Sequence, residues 1–463
     1  MTAFLILAIS TIVHFFRFGF PKSVVFDEVF YGNFMTYYWQ GSYFFDQHPQ
    51  FFKILVAFIG HLLGLSDYKA NWDSIGNQLP PELILVRIVS IICGVLLPLF
   101  IYYICRRFDI SKTASTVGAL LVTLENSLIV QSRYILPDVV MLLFGFSAIL
   151  FYLEYTRRLM DSRKSVFLAL STIFAGIALS IKWTGLTFLF LIILMELYRY
   201  YYNSNSLKDY FKYSPIFIGK YLLISAFVYI SLFSIHFAAL PFSGKGDVFM
   251  TDNFRSTLIG NSENQTETNK QISFWSKFVE LNKVMYGTNA GMTATHPNSS
   301  EWYTWPIMKR AIFYWQGNSG DGTEINAYIY LLGNPFVYWL GALAMIFTII
   351  YVVVKFIYKR KISDDPNTTK LLLFIIIGYL ANWLPFALIG RVMFLYHYET
   401  ALIFSIIAVA YWVGALQPNI KKIASFIIVA LTLIAFIYWS PMTYGLPLDK
   451  DQLEQRIWLP GWR

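Results

Sequence analysis

Polar and apolar residues follow one another along this chain in long blocks rather than with the short periods of a soluble fold. Apolar runs at about 2–18, 83–104, 113–130, 136–156, 165–180, 183–200, 217–239, 328–356, 370–389, 397–416 and 421–438 are separated mostly by short charged loops. A helix needs roughly 20 apolar residues to cross a bilayer. The pattern therefore predicts an all-α polytopic membrane protein with about eleven transmembrane helices. Two longer segments break the rhythm. The first, 19–81, holds Phe51–Ile59, an apolar stretch too short to span, expected to lie along the interface as an amphipathic or re-entrant helix. The second, 241–327, is polar, rich in Gly, Asn, Ser and Thr, and broken by HPNSSEWYTWP. With no repeat or low-complexity tract, 1–463 reads as one membrane domain with two outer loops and no appended soluble domain.

Charge orients this arrangement. Only 14% of the 463 residues are charged and 57% are hydrophobic, against roughly a quarter charged in soluble proteins. Lys and Arg gather in alternate loops: Arg106 to Lys112, Arg157 to Lys164, Arg199 to Lys220, Lys355 to Lys370, and Lys421-Lys422. Eleven spans put all five on one side, which the positive-inside rule makes cytoplasmic. Both long segments then face outward. The net charge of +9 is topological on this reading and implies no nucleic-acid partner. The first run lacks a basic leader and a small-residue cleavage site, so it reads as a span rather than a signal peptide. Cys93 and Cys105 share one apolar run and form no disulfide or metal pattern.

The candidate chemistry lies at the outer boundary. Asp27-Glu28 follows the first run, and Asp46 and His48-Pro49 come about twenty residues later. Carboxylates beside a bilayer cost free energy unless they are wet, paired or in use. Adjacent side chains point about 100° apart on a helix. One of the pair is therefore expected to be a general base and the other to hold a loop or a cation. Arg87, Arg133 and Arg391 stand near span ends, and Lys182 interrupts an apolar run. Guanidinium groups bind phosphate bidentately, so these cations are candidates for a lipid phosphate, with Arg87 first. Asp138, at the start of a span, suits a helix N-terminus. His48, His296 and His397 occupy different outer turns, with no ligand spacing that calls for a metal.

The stretch VVFDEVFYGNFMTYYWQGSYFFDQHPQFFK resembles the first outer loop of the protein O-mannosyltransferase family, with its Asp-Glu pair and Asp-x-His-Pro element. The resemblance continues in order through PELILVRIVSIICG, SRYILPDVVMLLF, IALSIKWTGL, IHFAALPFSGKGDVFM, VELNKVMYGTNAGMTATHP, YLLGNP and GYLANWLPFALIGRVMFLYHYETALIF. Phe30, Gln50 and Glu399 depart from the family pattern. The family's MIR domain would fall between the fifth and sixth of these motifs, where only a short segment stands. This implies a GT-C-type fold in a prokaryotic-type member. It implies mannose transfer from a polyprenyl- or dolichyl-phosphate carrier to Ser or Thr of a protein, possibly one engaged with the translocation machinery, at the outer face of a plasma membrane (or the lumenal face of the endoplasmic reticulum). Asp27 would be the base and Glu28 its catalytic neighbour. Arg87, Arg133, Lys182 and Arg391 would bind the donor phosphate, and Asp46, His48, His296 and His397 would shape the sugar and acceptor side. No metal site is expected among these residues, and whether a divalent cation assists stays open at this point. Two rivals stand beside this reading: a GT-C transferase with a lipid or glycan acceptor or another lipid-linked sugar, and a lipid-carrier transporter.

Overall fold

The computed structural model describes residues 1–157, 163–203, 207–261, 272–293, 295–318 and 326–463. Its helices run, in chain order, α1 (Thr2–Phe15), α2 (Glu28–Gln40), α3 (Phe51–Leu62), α4 (Ile88–Arg107), α5 (Lys112–Thr123), α6 (Asn126–Arg133), α7 (Asp138–Arg157), α8 (Lys164–Leu179), α9 (Leu186–Asn203), α10 (Leu207–Ala239), α11 (Asp252–Arg255), α12 (Phe274–Gly291), α13 (Pro335–Ile357), α14 (Pro366–Ala381), α15 (Glu399–Ala415), α16 (Pro418–Tyr444) and α17 (Lys450–Glu454). Eight helices are long and apolar enough to cross a membrane alone. The α5–α6 pair, bent by 54°, makes a ninth if it counts as one span. The remaining two apolar runs are α1 and α8, helical but shorter.

The helices sort by what surrounds them. α7 and α15 are apolar all round and mostly buried, α7 packing against α4 and α8 and α15 against α5, α13 and α14. A helix with no polar face belongs in an interior. In α10, α13 and α16 most side chains instead point outward, as lipid-facing helices do. α6 is the exception in composition: Asn126, Ser127, Gln131, Ser132 and Arg133 are polar, yet all eight of its residues are buried.

One element departs from the expected pattern. The apolar run at 328 does not open as helix. β1 (Ile312–Asn318), β2 (Asn326–Leu331) and β3 (Pro447–Leu448) form an antiparallel sheet in the order β1-β2-β3. Ile312 pairs with Leu331 and Gln316 with Tyr328, with a bulge between Phe313 and Trp315. The aromatic and β-branched residues here favour a half-buried pleat. α13 starts only at Asn334-Pro335, where the Asn334 side chain accepts from the N–H groups of Phe336 and Val337, a capping arrangement.

In the segment between the first two apolar runs α2 packs against α3. Gly32 on α2 lets Trp72 close over the helix; a Cβ there would meet the indole at 2.1 Å. A separate apolar cluster, with Tyr43, Phe44, Phe233, Phe254, Leu281 and Met285 at its centre, ties the segment 19–81 to α10, α11 and α12.

Candidate active site

Asp27 stands at a forced turn. Phe26 before it has a φ of 44°, a left-handed conformation that a bulky side chain rarely adopts. Its ring lies flat on Tyr314 of β1, centroids 4.1 Å apart, and edge-on to Phe394. Asp27 then opens α2. Its carbonyl accepts from Phe30 N–H (2.9 Å) and Tyr31 N–H (3.2 Å), but its side chain caps nothing. The carboxyl points instead into a cavity of about 940 Å³ and has no hydrogen-bond or ion-pair partner among the described residues. Burial, with Asp138 and Asp46 adding repulsion, raises its pKa to about 7 against the opposing pull of Lys182.

Glu28 turns the other way, as adjacent helical positions must. Its Oε1 takes Arg87 Nε (2.8 Å) and Ile135 N–H (3.0 Å), and its Oε2 takes an Arg87 terminal nitrogen (2.7 Å) and Val25 N–H (3.0 Å). Arg87 also donates to the carbonyls of Pro21 (2.7 Å) and Ser23 (2.8 Å). Glu28 thus holds a loop and a cation, as one member of the pair was expected to, and does not line the cavity. The Arg87 guanidinium spends four of its five N–H groups on protein and is 1% exposed, away from the cavity where a phosphate ligand was expected. Arg133 is likewise spent on backbone, donating to the carbonyls of His14, Phe16 and Arg17. A carbonyl buried without a donor costs free energy comparable to a lost hydrogen bond. Two arginines donate to five carbonyls at the end of α1 and in the link to α2, and thereby hold the turn that carries Asp27.

The other candidates converge. Asp46, His48, Lys182, His296, Arg391 and His397 line the cavity with Asp27. Asp138, expected to be structural, lines it too, and takes Lys182 Nζ at 2.7 and 2.9 Å. Asp46 accepts from Lys53 Nζ at 2.6 Å, and the same ammonium reaches the His48 carbonyl at 2.7 Å. Burial lowers the His48 pKa, with Lys182, Arg391 and Lys53 adding to the effect, so its ring is neutral at pH 7. His296 Nδ1 accepts from Asn298 N–H, and the ring meets Phe394 edge-on. His397 bonds the Phe394 backbone and stacks on Trp305 and Tyr396.

Arg391 differs from the other cations of the cavity. No carboxylate pairs with it among the described residues; it donates to the Asn289 amide oxygen, 2.6 Å away. Burial draws its guanidinium below the ordinary value, with Tyr396 and Asp46 pulling the other way. Tyr314, Tyr396 and Asn289 escaped the sequence reading. For Asn289 a signal existed: it lies one turn beyond Met285, on the inward face of α12. Among the described residues no group of three His, Cys, Asp or Glu is placed to hold a metal ion.

The Asp27 carboxyl, half-buried and facing cations across a cavity, sits on a scaffold of apolar spans with the fold of a GT-C membrane protein. Residues 4–240 match the family described as dolichyl-phosphate-mannose-protein mannosyltransferase, and residues 274–462 match the C-terminal four-TMM region of protein-O-mannosyltransferase. The first match covers over half of the sequence, and the chain belongs to the protein O-mannosyltransferase family. It is 22% identical to dolichyl-phosphate-mannose–protein mannosyltransferase 1 of Saccharomyces cerevisiae, over 98% of this chain and 82% of that one. To dolichyl-phosphate-mannose–protein mannosyltransferase 5 of Candida albicans it is 31% identical, over 42% of this chain and only 29% of that relative's length. The fold matches the S. cerevisiae Pmt1-Pmt2 complex bound to the sugar donor with a TM-score of 0.90, at 19% identity, covering 100% of this chain and 92% of the other.

Proposed function

We propose that the protein transfers mannose from a polyprenyl- or dolichyl-phosphate carrier to Ser or Thr hydroxyls of proteins, by a single displacement that inverts the anomeric carbon. The observation that carries this is the Asp27 carboxyl, unpartnered in the cavity and with a pKa near 7. Asp27 takes the proton of the acceptor hydroxyl as its oxygen attacks, a task suited to a base titrating near the working pH. The departing group is a phosphate, so stabilising cations replace the acid a glycosidase needs. Arg391 takes the role first expected of Arg87, because it alone among the cavity's described cations has no carboxylate partner. Lys182 stands second, its charge shared with Asp138. Asp46, His48, His296 and His397 border the sugar and acceptor side.

The site belongs on the outer or lumenal face, opposite the basic loops. The domain reading stays as first drawn, with one membrane domain and no MIR domain between residues 250 and 279. Both family matches, which lie on either side of residues 241–273, support it.

The deciding experiment offers radiolabelled polyprenyl-phosphate-mannose and a Ser/Thr-rich peptide to purified wild type and to Asp27→Asn. Transfer by wild type alone supports donor, acceptor and base together. Equal transfer by Asp27→Asn removes Asp27 from the mechanism, and no transfer to peptide by wild type removes the acceptor class.

A further inference from the structure

Asn289 makes three hydrogen bonds, two to residues that line the cavity and one to its own helix. Its Nδ2 donates to the Gln47 carbonyl (2.9 Å) and to the Met285 carbonyl one turn back on α12 (2.9 Å). Its Oδ1 accepts from an Arg391 terminal nitrogen (2.6 Å). This orientation of the amide is the one that chemistry allows, since the flipped form would set an NH₂ against a guanidinium and an oxygen against two carbonyls.

We propose that Asn289 is the positioning residue of this site, holding Arg391 in the attitude that receives the donor phosphate and tying it to the loop of Asp46 and His48. The inference rests on the reading of Arg391 as the phosphate cation. Three observations lead to it. Arg391 lies in the 389–394 connection, in extended or bent backbone between the short helical turns at 384–388 and 395–398. A long side chain on such a segment loses much rotamer entropy when fixed, so an anchor is needed to aim it. A carboxylate anchor would neutralise the charge meant for the phosphate, as Asp138 does for Lys182. A neutral amide fixes the guanidinium and leaves its charge and its remaining N–H donors available. The same amide holds Gln47, between Asp46 and His48. Donor-side and acceptor-side walls are thus joined through one side chain, whose chain neighbour Thr288 also lines the cavity.

The test is equilibrium binding of farnesyl phosphate and, in parallel, farnesol to full-length protein in detergent, for wild type, Asn289→Ala and Asn289→Asp. Thermal unfolding of each confirms that it is folded. The expected order is tightest for wild type, at least fivefold weaker for Asn289→Ala and weaker again for Asn289→Asp, with farnesol binding unchanged throughout. Asp is nearly isosteric with Asn, yet it would pair with Arg391 and repel the Gln47 and Met285 carbonyls. A purely structural role predicts instead that Asp disturbs less than Ala. Equal phosphate affinity in all three proteins, or equal weakening for farnesyl phosphate and farnesol, overturns the positioning role and leaves the reading of the site intact. Wild type that does not prefer the phosphate over the alcohol overturns both.

Discussion

Glu28 and Arg87 form a two-pronged ion pair, 2.7 and 2.8 Å long, in which neither side chain is more than 1% exposed. Every carboxylate lone-pair direction is used, with Val25 and Ile135 N–H completing the set. The pair closes the base of the turn that carries Asp27. Removing one partner leaves the other charge buried and alone, which costs about 3–5 kcal/mol. Arg87→Met is therefore expected to lower stability by that order, and Arg87→Lys to rescue little, since an ammonium cannot reproduce the fork. Thermal or denaturant unfolding in detergent measures both. Farnesyl phosphate affinity of the folded fraction should stay near wild type; a large selective loss would return Arg87 to the list of phosphate ligands.

As the proposed base, Asp27 would make the reaction pH-dependent in a defined direction. The base acts ionised, so the rate at limiting substrate should climb tenfold per pH unit below about 7 and level off above it. Lys182 opposes the upward shift. In Lys182→Met the rising limb should move to higher pH, alongside any loss in donor binding. A pH–rate profile whose limb stays where wild type has it would disconnect Lys182 from Asp27.

The same shift has a consequence for stability. Asp27 titrates at about 7 in the fold against 3.8 in the unfolded chain. Its protonation stabilises the fold fully below pH 3.8, less as pH rises, and not at all above 7. Asn carries no such dependence. Asp27→Asn should therefore gain on wild type between pH 4 and 7 and hold a constant advantage beyond, on the order of 2–4 kcal/mol. Unfolding at pH 4 and pH 8 reads the difference directly, and an advantage that is the same at both pH values would contradict a buried, shifted Asp27.

Sequence legibility followed the range of the signal. Helices announced themselves through local hydropathy, and Asp27 through the oddity of carboxylates at a bilayer edge. Arg87 drew a phosphate reading because its partner Glu28 lies 59 residues away. A lone arginine beside an apolar run looks the same whether it meets a lipid phosphate or a distant carboxylate. Arg133 hid for a similar reason, since its partners are backbone carbonyls, which carry no sequence. The end of β2, from 328 to 331, was absorbed into a helix because YIYLLGNP is apolar enough to extend one, and β1 lay unmarked in the polar segment before it. The Asn334-Pro335 start signal was legible there but outweighed by hydropathy. Asn289 acts only through groups that the fold brings to it.

Lys53 offers a last test, on the acceptor side. Its ammonium, 1% exposed, joins Asp46 to the His48 carbonyl and lies near the faces of the Phe34 and Phe44 rings. Asp46→Asn keeps the shape but replaces a charged hydrogen bond with a neutral one, a loss of about 1.5–3 kcal/mol. The loop 46–48 should loosen, raising the KM for acceptor peptide about tenfold for each 1.4 kcal/mol lost while the KM for the lipid donor changes little. Lys53→Met should do the same, and the double variant should be no worse than either single one, because the two act through one contact. Additive losses in the double-mutant cycle would mean that Asp46 touches the acceptor in its own right.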